Sequence, residues 1–240
     1  MSISPRERAL PFFHAGPAPR AFGPRRGGLR DGLDLQPGMR VGLFGGSFNP
    51  AHDGHAHVAE TAMRRLDLDR VVWLVSPQNP LKDARHTAPL AERMASAERA
   101  ARQAAHGPAM IVSDLETRLG TGWTVDTLRA LVARHPGVRF VWLMGSDNLA
   151  TFHRWRGWTD IMRLMPVAVI ARPGSLLESR TAPAAERFAR ARLPDHRARM
   201  LPDMQAPAWA WLSAPLNPRS STALRAAAAA RTGDAPAGSC

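Results

Sequence analysis

The chain has 240 residues, enough for one domain of ordinary to large size with a sizeable core. Hydrophobic residues make up 45% and charged residues 22%, a globular balance, and no apolar run reaches the roughly 18–20 residues that cross a bilayer. The formal charge of +12 comes from basic residues scattered through every segment, so it reads as compositional bias, and neither a nucleic-acid nor a membrane partner is expected.

Residues 1–37 are rich in Pro, Gly and Arg ("HAGPAPRAFGPRRGG") without apolar periodicity, which predicts a flexible basic arm. Its start, "MSISPRERALPFF", lacks a long apolar core before a small-residue cleavage site, so no secretory signal is expected. The folded domain is expected over 38–232. "MRVGLF" reads as a short buried strand, and His55, Val58, Ala59, Ala62 and Leu66 then recur at helical spacing. "RVVWLVS" is a second strand, Leu90 to Ala105 an Ala/Glu/Arg helix, and "AMIVSDLE" a third strand. "TVDTLRALVARHP" predicts a helix stopped by proline, "VRFVWLMGSD" a strand, "DIMRLM" a short helix and "PVAVIARP" a strand. "AWAWLSA" reads as a last strand, followed by a helix from about Ser221 into "LRAAAAAR", and residues 233–240 as a frayed tail.

Strands that alternate with helices, and that are continuous apolar runs, predict a parallel sheet covered on both faces. The fold class is therefore α/β, a doubly wound, Rossmann-like sheet whose ligands bind beyond the carboxyl ends of the strands. Four polar loops fall at that edge: "GGSFNPAHDGH", "SPQNPLK", "LETRLGTGWT" and "GSDN".

The first of these carries two histidines three apart, His52 and His55, behind Gly45 and Gly46. Such spacing can belong to a metal site, a phosphate cradle or an ordinary turn. A helical zinc site wants histidines four apart with further ligands, and no third ligand is obvious, so no dedicated metal site is expected. A phosphate cradle needs a closely approaching backbone and a helix N-terminus, and the glycines and the following helix supply both. Lys82 is the one lysine among 32 basic residues, either a chance survivor or an ammonium required at a single phosphate oxygen. Cys240 is the only cysteine, which excludes an internal disulfide or a thiolate cage and points to a reducing cytoplasm.

Taken together, "GSFNPAHDGH", "SPQNPLK", "WTVDTL", "GSDNLATFHRW" and "SSTALR" resemble the HxGH nucleotidyltransferase superfamily, and within it the bacterial nicotinate-nucleotide adenylyltransferases. The resemblance runs from residue 39 to about 231. It departs at "NPLK", where relatives end in proline-histidine-lysine, and at Trp123, where tyrosine is common. What it implies is transfer of the adenylyl group of ATP to nicotinate mononucleotide in NAD biosynthesis, with Mg²⁺ carried mainly by the ATP phosphates.

On that resemblance His52 and His55 hold the triphosphate, and Gly45, Gly46, Ser47 and Phe48 approach the phosphates. Ser221, Thr222 and Arg225 take phosphate oxygens at a helix N-terminus, unless they are a plain cap with a solvated arginine. Asp147 accepts from a ribose, or caps a helix. Lys82 faces phosphate, while Trp123, Thr124 and Trp155 form the pyridine pocket, the tryptophans having core packing as their plain alternative. Rival readings are an adenylyltransferase for pantetheine phosphate or nicotinamide mononucleotide, and a catalytically silent nucleotide- or RNA-binding protein.

Overall fold

The computed structural model describes residues 32–77, 87–172 and 181–213. The chain runs β1 (Arg40–Gly46), α1 (Asp53–Leu66), β2 (Arg70–Val75), α2 (Leu90–Gln103), β3 (Met110–Ser113), α3 (Leu115–Leu119) and α4 (Thr124–Arg134). It continues through β4 (Arg139–Gly145), α5 (Ser146–Thr151), α6 (Trp158–Leu164), β5 (Val167–Ile170), a short helix Pro183–Arg187, β6 (Arg192–Leu193), a 3₁₀ stretch Asp195–Asp203 and β7 (Trp209–Leu212).

The strands form one sheet in the order β3-β2-β1-β4-β5-β7-β6, and each neighbouring pair is parallel. Because side chains alternate along a strand, the apolar runs feed two cores at once. Val41, Leu43, Val72, Leu74, Trp142 and Met144 pack on one face with α3, α4, α5 and α6. Phe44, Val71, Trp73, Val75, Val141 and Leu143 pack on the other with α1 and α2. Burial on both faces is why these strands show no polar alternation, and the doubly wound expectation holds. The chain steps outward from β1 to β2 and β3, then returns to place β4 on the other side of β1. That reversal opens a crevice at the carboxyl ends of β1 and β4, where such sheets bind ligands.

Several boundaries differ from the sequence reading, each for a local reason. "AMIVSDLE" is strand only to Ser113; Leu115 and Glu116 open α3, which Gly120 closes in the left-handed region at φ 63. "VRFVWLMGSD" ends as strand at Gly145, and Ser146 and Asp147 begin α5. The two-residue β6 and the 3₁₀ stretch containing Pro202 carry too little periodicity to announce themselves. Leu33 and Leu35, read as arm, are buried in the first core. The expected helix from Ser221, with the tail beyond it, lies outside the described residues. No described helix is long and apolar enough to cross a membrane.

Candidate functional site

Helix α1 explains the histidine spacing. A helix leaves its first N–H groups unpaired, and residues at the cap and three positions later can satisfy them reciprocally. His52 is the N-cap, with extended backbone. Its Nδ1 accepts from the Gly54 N–H at 3.0 Å, and Nδ1 of His55 accepts from the His52 N–H at 3.2 Å. The two rings lie 4.0 Å apart between centroids, and His52 is buried. With each Nδ1 used as an acceptor, a neutral imidazole carries its proton on Nε2. The cap therefore fixes both histidines as Nε2–H donors at the positive end of α1, an arrangement suited to anions.

The loop between β1 and α1 is shaped by aromatic rings. A Cβ on Gly45 would overlap Cη2 of Trp142, and one on Gly46 would lie 3.1 Å from the Phe48 ring. The two glycines make room for protein side chains, a physical reason that the ligand-approach reading did not contain. Phe48 has φ 46, unusual for a bulky side chain, and is held there by rings on three sides. It stacks on Trp73 at 5.1 Å and meets Phe44 and His55 edge-on at 5.4 and 5.1 Å. Ser47 is 8% exposed, and its hydroxyl has no hydrogen-bond partner among the described residues. A buried polar atom without a partner asks for an explanation, and this one stands five residues before the His52 cap on the same loop.

At the end of β4, one strand away and so roughly 5 Å across the sheet, Asp147 stands in the first turn of α5. Gly145 is that helix's N-cap, so Asp147 neither ends the strand nor caps the helix. The carboxylate accepts from Nη1 of Arg172 at 3.1 Å, while Ser146 Oγ accepts from the Arg172 N–H at 2.9 Å. Arg172, immediately beyond β5, escaped the sequence reading because nothing in "VIARPG" distinguishes it from a solvated arginine.

The pyridine-pocket candidates are also drawn together. Trp123 is the N-cap residue of α4 and 36% exposed, with the Arg156 guanidinium 5.1 Å over its ring. Thr124 opens α4, where backbone N–H groups lack intrahelical partners. Gly157 lets α6 come close to α4, since a Cβ there would lie 3.0 Å from Val125 Cγ1. Trp155 is half-buried and edge-on to Phe152 and Trp142, at 5.4 and 6.3 Å. Core packing and an accessible face coexist in it. Trp142 thus links the glycine loop, through Gly45, to the candidate pocket residue Trp155.

Lys82, Ser221, Thr222 and Arg225 lie outside the described residues. Among those described, no group of three or more His, Cys, Asp or Glu is arranged to hold a metal ion. A cavity of about 550 Å³, lined by Val138, Phe140, Met165 and Met204, opens at the opposite, amino edge of the sheet, away from all these motifs. Arg93 was also missed, although a signal was present. It occupies the buried stripe of α2 otherwise made of Ser96, Ala97, Ala100 and Ala101. An arginine on an apolar stripe asks for an explanation.

The chain belongs to the cytidylyltransferase-like family, whose model matches residues 43–227, and its relatives make it a nucleotidyltransferase. Within it, the chain is 68% identical to the probable nicotinate-nucleotide adenylyltransferase of Caulobacter sp. (strain K31), over 78% of this chain and 97% of that one. It is 55% identical to the protein of the same name in Methylorubrum extorquens, over 78% and 99% of the two chains. The fold is also that of the Plasmodium falciparum nicotinic acid mononucleotide adenylyltransferase complexed with NaAD. That match has a TM-score of 0.61 at 15% identity, covering 78% of this chain and 83% of that one.

Proposed function

We propose that the chain joins ATP and nicotinate mononucleotide into nicotinate adenine dinucleotide and pyrophosphate, as the names of its relatives suggest. A phosphate oxygen of the mononucleotide attacks the α-phosphorus of ATP. A new P–O bond forms, the bond from that phosphorus to the α,β-bridging oxygen breaks, and pyrophosphate leaves with the electron pair. No protein nucleophile takes part, so the protein's task is to bring two anions together and neutralise them. The observation that carries the reading is the reciprocal cap of His52 and His55, which orients two imidazoles at the positive end of α1, on the loop whose Ser47 hydroxyl has no partner among the described residues.

In this scheme His52 and His55 donate to the triphosphate and to the departing pyrophosphate, with Ser47 donating where the two substrates meet. Gly45, Gly46 and Phe48 shape the loop. Lys82, Ser221, Thr222 and Arg225 complete the phosphate contacts, and Asp147 receives the adenosine ribose. Thr124 offers its hydroxyl and N–H to the nicotinate carboxylate, with Trp123 and Trp155 flanking the ring. Mg²⁺ suits hard oxygen donors. The described residues there offer imidazoles, hydroxyls, Asp53 in the first turn of α1 and Asp147 already paired with Arg172, with no cluster of carboxylates, so the ion would be carried by the ATP phosphates, where it would draw charge from the reacting phosphorus. The cytoplasm is its proposed compartment, on the strength of cysteine usage.

The test is a coupled assay with ATP, Mg²⁺ and either mononucleotide. A carboxylate accepts at both oxygens, whereas an amide turns an NH₂ toward the donors of a pocket built for the acid. An opposed buried polar group costs about 1–3 kcal/mol, so kcat/KM should favour the nicotinate form by ~10-fold or more. Equal use of both substrates would put the amide reading in its place. No dinucleotide from either, with stabilisation by RNA but not by ATP, would indicate a silent binding protein.

A further inference from the structure

Arg93 is a buried cation to which the phosphoryl-transfer scheme gives no task. It is 2% exposed, on the second turn of α2. A desolvated charge is costly, and buried arginines ordinarily face a carboxylate. Among the described residues no carboxylate pairs with Arg93; its bonds go to backbone carbonyls instead. Nε donates to Ala88 O at 2.9 Å, Nη1 to Ser47 O and Ser76 O at 2.9 and 2.6 Å, and Nη2 to Pro77 O at 2.7 Å. Those carbonyls belong to the glycine loop, to the chain leaving β2 and to the chain entering α2. Burial also pulls the guanidinium's pKa downward. Packing alone would be served as well by an apolar side chain. What such a residue lacks is a planar fork that reaches several acceptors at fixed angles.

One turn further on, Ser96 performs a smaller version of the same job. Its hydroxyl accepts from the Ala51 N–H at 3.1 Å and lies 3.4 Å from the Phe48 carbonyl. The loop that carries Ser47 and leads into the His52 cap is therefore moored to α2 at both ends. We propose that Arg93 is a positioning residue for phosphoryl transfer, its fork setting the Ser47 segment and the end of β2 in the one arrangement that receives the substrate phosphates. The proposal rests on the adenylyltransferase reading, and its test separates the two.

Arg93→Lys, Ser96→Ala and Ser47→Ala are made singly, and Arg93→Lys is combined with Ser47→Ala. Kinetics are measured alongside thermal midpoints with and without ATP and Mg²⁺. Lysine keeps the charge but loses the fork, so kcat/KM for ATP should fall by roughly 10²-fold, the scale of a misplacement of about 1 Å in a preorganised site. The rise in midpoint that ATP produces should shrink with it. In the Ser47→Ala background the same exchange should cost less than ~10-fold, because the group being positioned is already gone. A lower midpoint with kcat/KM and the ATP-induced rise both intact would overturn the proposal, as would fully additive losses. If Arg93→Lys does not fold, Ser96→Ala decides: a fall of ~10-fold in kcat/KM at a nearly unchanged midpoint supports the moored loop, and unchanged kinetics overturn it. Failure of the wild type to form dinucleotide counts against the adenylyltransferase reading alone. The ATP-induced rise in midpoint then judges Arg93, supporting it if smaller in Arg93→Lys and overturning it if equal.

Discussion

Glu116 should make the stability of this protein fall as pH rises. The residue lies in α3, 7% exposed, and no cation pairs with it among the described residues. Arg118, in the same short helix, is bonded to Asp114 and Ser113. Burial raises the Glu116 carboxyl from its ordinary 4.5 to about 7. A carboxyl with a raised folded-state pKa binds its proton more tightly in the folded chain, so its contribution is most favourable below the unfolded value. That contribution is lost progressively as pH rises through the window from 4.5 to about 7. At about 1.4 kcal/mol per pKa unit, the difference amounts to roughly 3 kcal/mol. Glu116→Gln keeps the shape and cannot ionise. Urea unfolding of both proteins at intervals from pH 5 to pH 8 isolates the effect, because other titrating groups cancel in the difference. Gln should be near parity at pH 5 and more stable by ~3 kcal/mol at pH 8, or roughly 6–12 °C in melting temperature for a domain of this size. Parallel curves across the whole range would refute the reasoning.

Three further outcomes follow from named contacts. His55→Ala should lower kcat by ~10²-fold, the scale of one charge-stabilising donor, and should also cost ~1 kcal/mol of stability by breaking the cap; wild-type turnover would remove His55 from the phosphate site. Gly45→Ala would drive a Cβ into Trp142, and overpacking of this kind costs roughly 1–3 kcal/mol; because Trp142 touches Trp155, KM for the mononucleotide should rise as well, and an unchanged KM would show the two halves to be uncoupled. Lys82→Ala should reduce kcat/KM while barely moving the melting temperature, and Lys82→Arg should be impaired too, since a fork does not occupy the position of a point charge; full activity of the arginine variant would make the single lysine an accident.

The parallel sheet was legible because burial on both faces writes itself as unbroken apolar runs, and each expected strand in the described residues has its counterpart. What escaped was short or tertiary in origin. Two residues of β6 hold no periodicity, and α5 was absorbed into the preceding strand because "GSDN" gives no apolar repeat. The candidate site was readable where one contiguous string held it, as at residues 45–55. It was not readable where partners converge from distant segments. Arg172 meets Asp147 across 25 positions, and Arg93 reaches Ser47 across 46. Gly45 shows a subtler limit. Its small size was visible, but the cause, a tryptophan almost a hundred residues away, required the fold.

The histidine pair shows how structural and chemical demands come to share one spacing. The interval of three is set by the helix, since a side chain at the third position reaches back to the N–H of the cap while the cap's own side chain takes an N–H of the first turn. Serine with glutamate would meet that demand equally well and is the commoner solution. Neither would offer a second nitrogen carrying a proton once the capping atom is engaged. Imidazole does, because its two nitrogens divide the work: Nδ1 closes the helix and the neutral ring carries its proton on Nε2. Capping also restricts rotation of the rings, so the donors come oriented with little entropy left to lose when phosphate arrives. On the proposed function, stability and anion binding are coupled at these two positions. Combining His52→Ser with His55→Glu would preserve the reciprocal cap and abolish the donors. That double exchange should hold stability to within ~1 kcal/mol of the wild type while eliminating stabilisation by ATP, and a protein that still bound ATP normally would break the link drawn here between the cap and the phosphate site.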